Sequence, residues 1–285
     1  MKYLKSPLMQ NLFARKSTNP WIFFVLTLGW SWIFWIPAAV LSHFDSTVYV
    51  TALHYIGGVG PLVAAIFLLY RTQNRDVQRN YWRKVIDFKR IGIRWYLLTV
   101  FIVPLVTAFA ALIDILFGGQ GGQLETAILL SQPLEILSFV AFILLFGPVP
   151  EELGWRGYAL DRLQVNRSAL ISSLILGIIW SLWHLPLFFI EGTYQYYIGL
   201  DSLYFWIYML DMIVKSILYT WIYNNNRHST LSAILFHFMI NLTGELFELT
   251  EAAEVYQFIL WIILTALVLM VWGPQKLIRK STEIT

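Results

Sequence analysis

The sequence has no cysteine, which excludes a disulfide framework, a thiolate metal site and a cysteine nucleophile. It is also poor in charge: Asp, Glu, Lys and Arg make up 13% of the 285 residues, about half the share in ordinary soluble domains. So few charges cannot cover the surface of a water-soluble domain of this size, and a nucleic-acid-binding or disordered chain is excluded with it. What fills the sequence instead is apolar: 58% hydrophobic residues, 17% aromatic, and a mean hydropathy of +0.63. These values describe an all-α, polytopic membrane protein.

A helix needs about 20 mostly apolar residues to cross the hydrocarbon core. By that measure the chain predicts eight spans: Trp21–Leu41, Tyr49–Tyr70, Trp95–Phe117, Leu134–Val149, Ser168–Ile190, Leu203–Tyr223, Ser229–Phe247 and Val255–Trp272, with seven the nearest alternative. The fourth is short and can extend through Pro148 and Pro150 as a kinked helix. The first run is long enough to span and reads as an uncleaved segment. Residues 1–20 form a tail, residues 21–273 one membrane-embedded domain with its motifs at about 134–247, and residues 274–285 a second tail.

Charge placement orients the spans. With the N-terminus inside, the inner segments hold Lys2, Lys5, Arg15 and Lys16, the cluster from Arg71 to Arg94, then Arg156, Arg162, Arg167, Arg227, Lys276, Arg279 and Lys280. The outer loops hold Asp45, Glu125, Glu191, Asp201, Glu245, Glu248, Glu251 and Glu254 without Lys or Arg. This asymmetry predicts a plasma-membrane protein with both termini cytoplasmic. Leu4, Leu8, Met9, Leu12 and Phe13 in the basic tail, and the mixed stretch from Arg79 to Trp95, read as interfacial segments against an anionic leaflet.

Ionisable groups inside spans are costly and mark function by default. Asp211 and Lys215 are four residues apart, hence on one helical face, and read as an ion pair. His54 stands alone beside Gly57, Gly58, Gly60 and Pro61 and reads as a packing residue where helices approach closely. A third group is richer. Glu151, Glu152 and Arg156 follow Pro150 in P-E-E-L-G-W-R-G-Y, Trp180 and His184 occur in W-S-L-W-H, and His237 and Asn241 in H-F-M-I-N. Each of the last two pairs presents one polar face of its helix, and Glu152 and Arg156 have salt-bridge spacing. Glu151 lies about 100° further round the helix and points elsewhere. No H-E-x-x-H, G-x-S-x-G or phosphate-binding loop competes with this set.

Together these residues resemble the CAAX-protease and bacteriocin-processing (CPBP) family of intramembrane peptidases, whose pattern is E-E-x-x-x-R, F-x-x-x-H and H-x-x-x-N on successive helices. The resemblance covers about residues 57–242, including the G-P-L-V-A-A run from Gly60 to Ala65; Trp180 departs from it by replacing phenylalanine. It implies that Glu151 and His184 activate a water and that the substrate is a membrane-associated peptide: prenylated proteins, bacteriocin or pheromone leaders. His237 and Asn241 would then receive the oxyanion, with Glu152, Arg156 and Trp180 in support. A metal-free reaction is favoured; the zinc alternative would use Glu151, His184 and His237 as ligands. The partners expected are the bilayer and a peptide substrate, not nucleic acid. A bacteriocin-immunity or scaffold protein that binds without turnover is the alternative function, and a transporter built on Asp211 and Lys215 a further one. With Glu151 at the end of the fourth span, the site is expected to open toward the cytoplasmic half of the bilayer.

Overall fold

The computed structural model describes residues 19–44, 47–124 and 132–279. The basic tail, Asp45, Glu125 and the chain beyond Arg279 lie outside the described residues. The described chain is a helix bundle. Helix α1 (Pro20–Leu41) begins at Asn19, whose side chain accepts the Trp21 N–H; α2 (Thr47–Gly58) and α3 (Gly60–Thr72) follow, bent by 42° at Val59. Next come α4 (Arg75–Ile86) and α5 (Ile93–Leu116), then strand β1 (Gly122–Leu124). A composite helix holds α6 (Pro133–Phe146), α7 (Pro148–Gly154), a π-helical stretch over Trp155–Leu160 and α8 (Asp161–Gln164). It is followed by α9 (Ala169–Trp183) with a 3₁₀ extension, Leu185–Phe189, then the short α10 (Tyr194–Ile198) and α11 (Leu203–Asn225). The fold closes with α12 (Thr230–Leu246), strand β2 (Phe247–Leu249) and α13 (Glu251–Trp272).

Several of these starts are written in the sequence. Ser168, Ser202, Ser229 and Thr250 each accept the N–H three residues on, satisfying a donor that the first helical turn leaves free. The sidedness of α5 identifies its solvent. Leu97, Phe101, Leu105 and Phe109 face outward, whereas Thr99, Thr107 and Asp114 are buried. A helix with its threonines inside and its phenylalanines outside is placed for lipid rather than water.

Among the described residues six helices are long and apolar enough to cross a membrane, or seven if the bent pair α2–α3 is one span. The expected eight is not reached by this measure. The remaining expected span is α12, whose 17 residues fall short of the full thickness. The expected interfacial stretch also differs in part. Ile86 and Phe88 are exposed, but Tyr81 and Lys84 are buried, and α4 docks on the bundle. The Tyr81 hydroxyl, kept protonated because burial raises its pKa, donates to the Leu153 carbonyl at 2.9 Å. Lys84 pairs with Asp161, which also meets His228 at 2.8 Å. At the opposite end β1 and β2 pair antiparallel, with Gln123 opposite Glu248. Asp114, an ionisable residue the sequence reading passed over, fastens that ribbon by accepting from the Gly121 N–H at 2.8 Å and the Thr250 hydroxyl at 2.9 Å.

Close helix contacts are made where side chains vanish. A Cβ on Gly154 would lie 2.7 Å from the Pro61 carbonyl oxygen and 2.8 Å from its carbon, so α7 touches α3 backbone to backbone. Two of the three glycines beside His54 serve similarly: Gly60 lies against Ser31 and Thr27, and Gly57 under the Trp35 indole, whose N–H donates to the His54 carbonyl at 2.8 Å, whereas Gly58 has open space.

Candidate active site

The chain break that builds the site is Gly147, between α6 and α7, at φ −128° and ψ −84°. Pro148 and Pro150 then restart the helix, since proline is tolerated where the N–H has no partner to lose. Glu151 and Glu152 therefore leave the first turn of α7 inside the bundle, and both are buried. The composite helix runs on to Gln164, so Glu151 lies within it and not at its end.

Glu151 turns into a cavity of about 840 Å³ that His184, His237, Asn241 and Trp180 also line. The expected groups thus converge from α7, α9 and α12 on one space. Two hydrogen-bonded chains organise them. In the first, the Trp180 indole N–H donates to Glu151 Oε2 at 2.6 Å, and His184 Nδ1 lies 2.9 Å from the Trp180 carbonyl oxygen. A carbonyl can only accept, so Nδ1 carries the proton and Nε2 of the neutral ring keeps its lone pair. In the second, Glu152 Oε1 receives Arg156 Nη1 at 2.8 Å and His237 Nδ1 at 2.9 Å.

The expected Glu152–Arg156 salt bridge is present, but Glu152 does more than brace its neighbour, because it also orients His237. Glu151 likewise has a fixed partner, Trp180. The phenylalanine-to-tryptophan departure read from the sequence supplies this hydrogen bond, which phenylalanine could not make. Arg156 is fully buried, its guanidinium 3.9 Å from the Tyr219 ring centroid and 4.6 Å from that of Trp180. The Tyr219 ring also meets the edges of Trp180 and His237, with centroids 5.4 and 5.8 Å apart. Tyr219 was missed in the sequence. Its signal was the stripe Asp211, Lys215, Tyr219, each four residues from the last, which places all three on one face of α11; all three line the cavity.

The cavity's other lining residues set its direction. Thr193, Tyr194, Tyr204, Glu245, Glu248 and Glu254 all belong to the end of the bundle that carries the acidic loops. The site therefore opens toward the acidic end, and not toward the end bearing Lys84, Arg90, Arg227 and Lys276. The expected opening lay toward the basic end, whereas the lining residues of this cavity reach the acidic end. The expected extension of the fourth span through Pro148 and Pro150 as a kinked helix is present, and the composite helix continues through Glu151 to Gln164. As for a metal, no group of three or more His, Asp or Glu among the described residues is arranged to hold one. The histidines each spend Nδ1 elsewhere and offer only Nε2.

Acid–base groups bordering a polar cavity inside an apolar helix bundle are the equipment of a hydrolase that works within the membrane. Comparison with known proteins agrees. Residues 133–243 match the family described as Type II CAAX prenyl endopeptidase Rce1-like. A protein named CAAX prenyl protease 2, from Methanococcus maripaludis, is 32% identical over 256 residues, covering 88% of this chain and 93% of that protein. The chain belongs to the CAAX prenyl protease family, within the peptidase group its motifs resemble, and is a multi-pass intramembrane endopeptidase.

Proposed function

We propose that the protein hydrolyses a peptide bond near the C-terminus of a membrane-associated substrate, using a water activated by Glu151 and His184. The observation that carries this reading is the convergence of Glu151, His184, His237 and Asn241 on one cavity. A water between the Glu151 carboxylate and the free Nε2 of His184 gives up a proton as its oxygen attacks the carbonyl carbon. The Asn241 amide and His237 Nε2–H donate to the developing oxyanion, at about 3–4 kcal/mol per donor in other hydrolases. Because His237 Nδ1 already donates to Glu152, Nε2 donates only in the imidazolium form, whose charge the Glu152 carboxylate balances. The proton taken from water then passes to the leaving amine as the C–N bond breaks. No metal is needed in this scheme.

The printed name of the methanococcal relative makes a prenylated C-a-a-X tail the first substrate to try. The test is Glu151→Gln, assayed on a farnesylated C-a-a-X peptide with the unfolding transition measured in the same detergent. Cleavage should vanish with the transition unchanged; full turnover by the variant would defeat the reading and leave a binding protein. A leader-type peptide is the second reading, favoured by the position of the mouth. If the basic end faces the cytoplasm of a plasma membrane, with both termini there, the cavity opens to the opposite face.

A further inference from the structure

The mechanism leaves one pair of charges in the cavity wall unused. Asp211 and Lys215 form the ion pair expected from their spacing, and both line the same cavity as Glu151 and His184. Among the described residues that line it, Lys215 is the sole Lys or Arg, against the carboxylates Glu151, Asp211, Glu245, Glu248 and Glu254. An ammonium has three donors, and Asp211 Oδ2 takes one. The Trp261 ring, 5.2 Å from Nζ, flanks the head on another side. Asp211 Oδ1 is buried without a partner, so the pair is not closed on itself as a structural staple would be.

We infer that Lys215 receives the free C-terminal carboxylate of the substrate. The inference rests on the proposed reading, in which the substrate ends in a C-a-a-X motif and therefore carries that carboxylate at its last residue. Bringing an anion past an acidic rim into a cavity enclosed by an apolar helix bundle is costly unless a cation meets it. Lys215 is the cation present. Its place along α11 fits: it lies one turn, about 6 Å, from Tyr219, and the Tyr219 ring packs on His237. Three extended residues span about 10 Å, the length of tail that the proposed cleavage leaves between the bond under attack and the carboxylate. Asp211 holds the ammonium in place beforehand but competes with the incoming carboxylate, so the two residues have opposite effects on binding.

The experiment compares a farnesylated C-a-a-X peptide as free acid and as C-terminal amide, with unaltered protein, Lys215→Met and Asp211→Asn. With unaltered protein, amidation should lower kcat/KM about ten- to a hundredfold, the worth of one charge-assisted hydrogen bond. Lys215→Met should lose as much on the acid, chiefly through KM, and no longer distinguish the two peptides. Asp211→Asn should keep the preference for the acid with an equal or lower KM. Equal cleavage of acid and amide by unaltered protein overturns the inference. So does equal loss in the two variants on both peptides, which is what a purely structural pair would give. If Lys215→Met does not fold, the acid-to-amide ratio of unaltered protein decides alone. Failure of unaltered protein on both peptides refutes the proposed substrate instead, and is recognised by the absence of any Glu151-dependent cleavage.

Discussion

The buried Glu152–Arg156 pair allows stability and chemistry to be separated. Both side chains are wholly inaccessible, with Nη1 and Oε1 2.8 Å apart. Removing one member of such a pair strands the other, at about 3–5 kcal/mol, whereas removing both is often neutral or stabilising. The two single losses should differ. In Glu152→Gln the guanidinium keeps the Tyr219 and Trp180 rings, 3.9 and 4.6 Å away, worth about 2 kcal/mol when desolvated. In Arg156→Met the carboxylate keeps only His237. Arg156→Met should therefore unfold earliest in detergent, Glu152→Gln should be milder, and the double variant should recover most of the stability. Activity should not recover with it. His237 has lost a charge-assisted bond worth about 1.5–3 kcal/mol, so kcat should stay about ten- to a hundredfold down. A double variant with full turnover would show that Glu152 serves Arg156 alone and would refute the role given to it beside His237.

Four further tests follow. Trp180→Phe, which restores the family's residue, removes the donor to Glu151 and should lower kcat about tenfold or more, with KM unchanged; an unchanged kcat would deny that this bond orients the base. Gly154→Ala forces a methyl against the Pro61 backbone and should cost about 1–3 kcal/mol, whereas Gly29→Ala, with nothing within 4 Å, should not destabilise. Chelation should leave cleavage intact and elemental analysis should find no stoichiometric zinc; one tightly held zinc per chain would turn Glu151, His184 and His237 into ligands. The cysteine-free chain suits single-cysteine labelling: Glu248→Cys should react with an impermeant maleimide from outside intact cells and Lys276→Cys only after lysis, and the reverse pattern would put the cavity mouth in the cytoplasm.

The motif pairs were legible because a helix turns 100° per residue, so spacing alone puts His237 with Asn241 and Trp180 with His184 on shared faces. The polytopic helical class was legible because hydropathy sums over long runs. Chain breaks were legible only in part. Pro148 and Pro150 announced a kinked extension of the fourth span, and the helix does restart there, but hydropathy across Val59 is apolar on both sides and carries no sign of the 42° bend. Tyr219 was passed over for another reason, although its four-residue spacing from Lys215 was in the sequence. A tyrosine in an apolar run is unremarkable until its ring is found over a guanidinium from another helix.

The two histidines are prepared alike in geometry and oppositely in charge. Each is held through Nδ1, which leaves Nε2 free, and each lines the cavity, but His184 is held by a neutral carbonyl and His237 by a carboxylate. A carbonyl fixes a ring without supplying the negative charge that would balance an imidazolium. A carboxylate supplies it. In the proposed reaction this difference assigns His184 to receive a proton and His237 to present one, and it explains why the bundle retains a buried ion pair that apolar packing could replace. Arg156 holds the Glu152 carboxylate in place at 2.8 Å, and Glu152 in turn holds His237 through Nδ1 at 2.9 Å. Trp180 joins the two chains, bonded to Glu151 through its indole N–H and packed beside both imidazoles, tilted to His184 and edge-on to His237, with centroids 6.1 and 5.6 Å away. A substitution there therefore perturbs base and oxyanion donor together, so Trp180→Phe combined with Glu152→Gln should fall short of the product of the single losses.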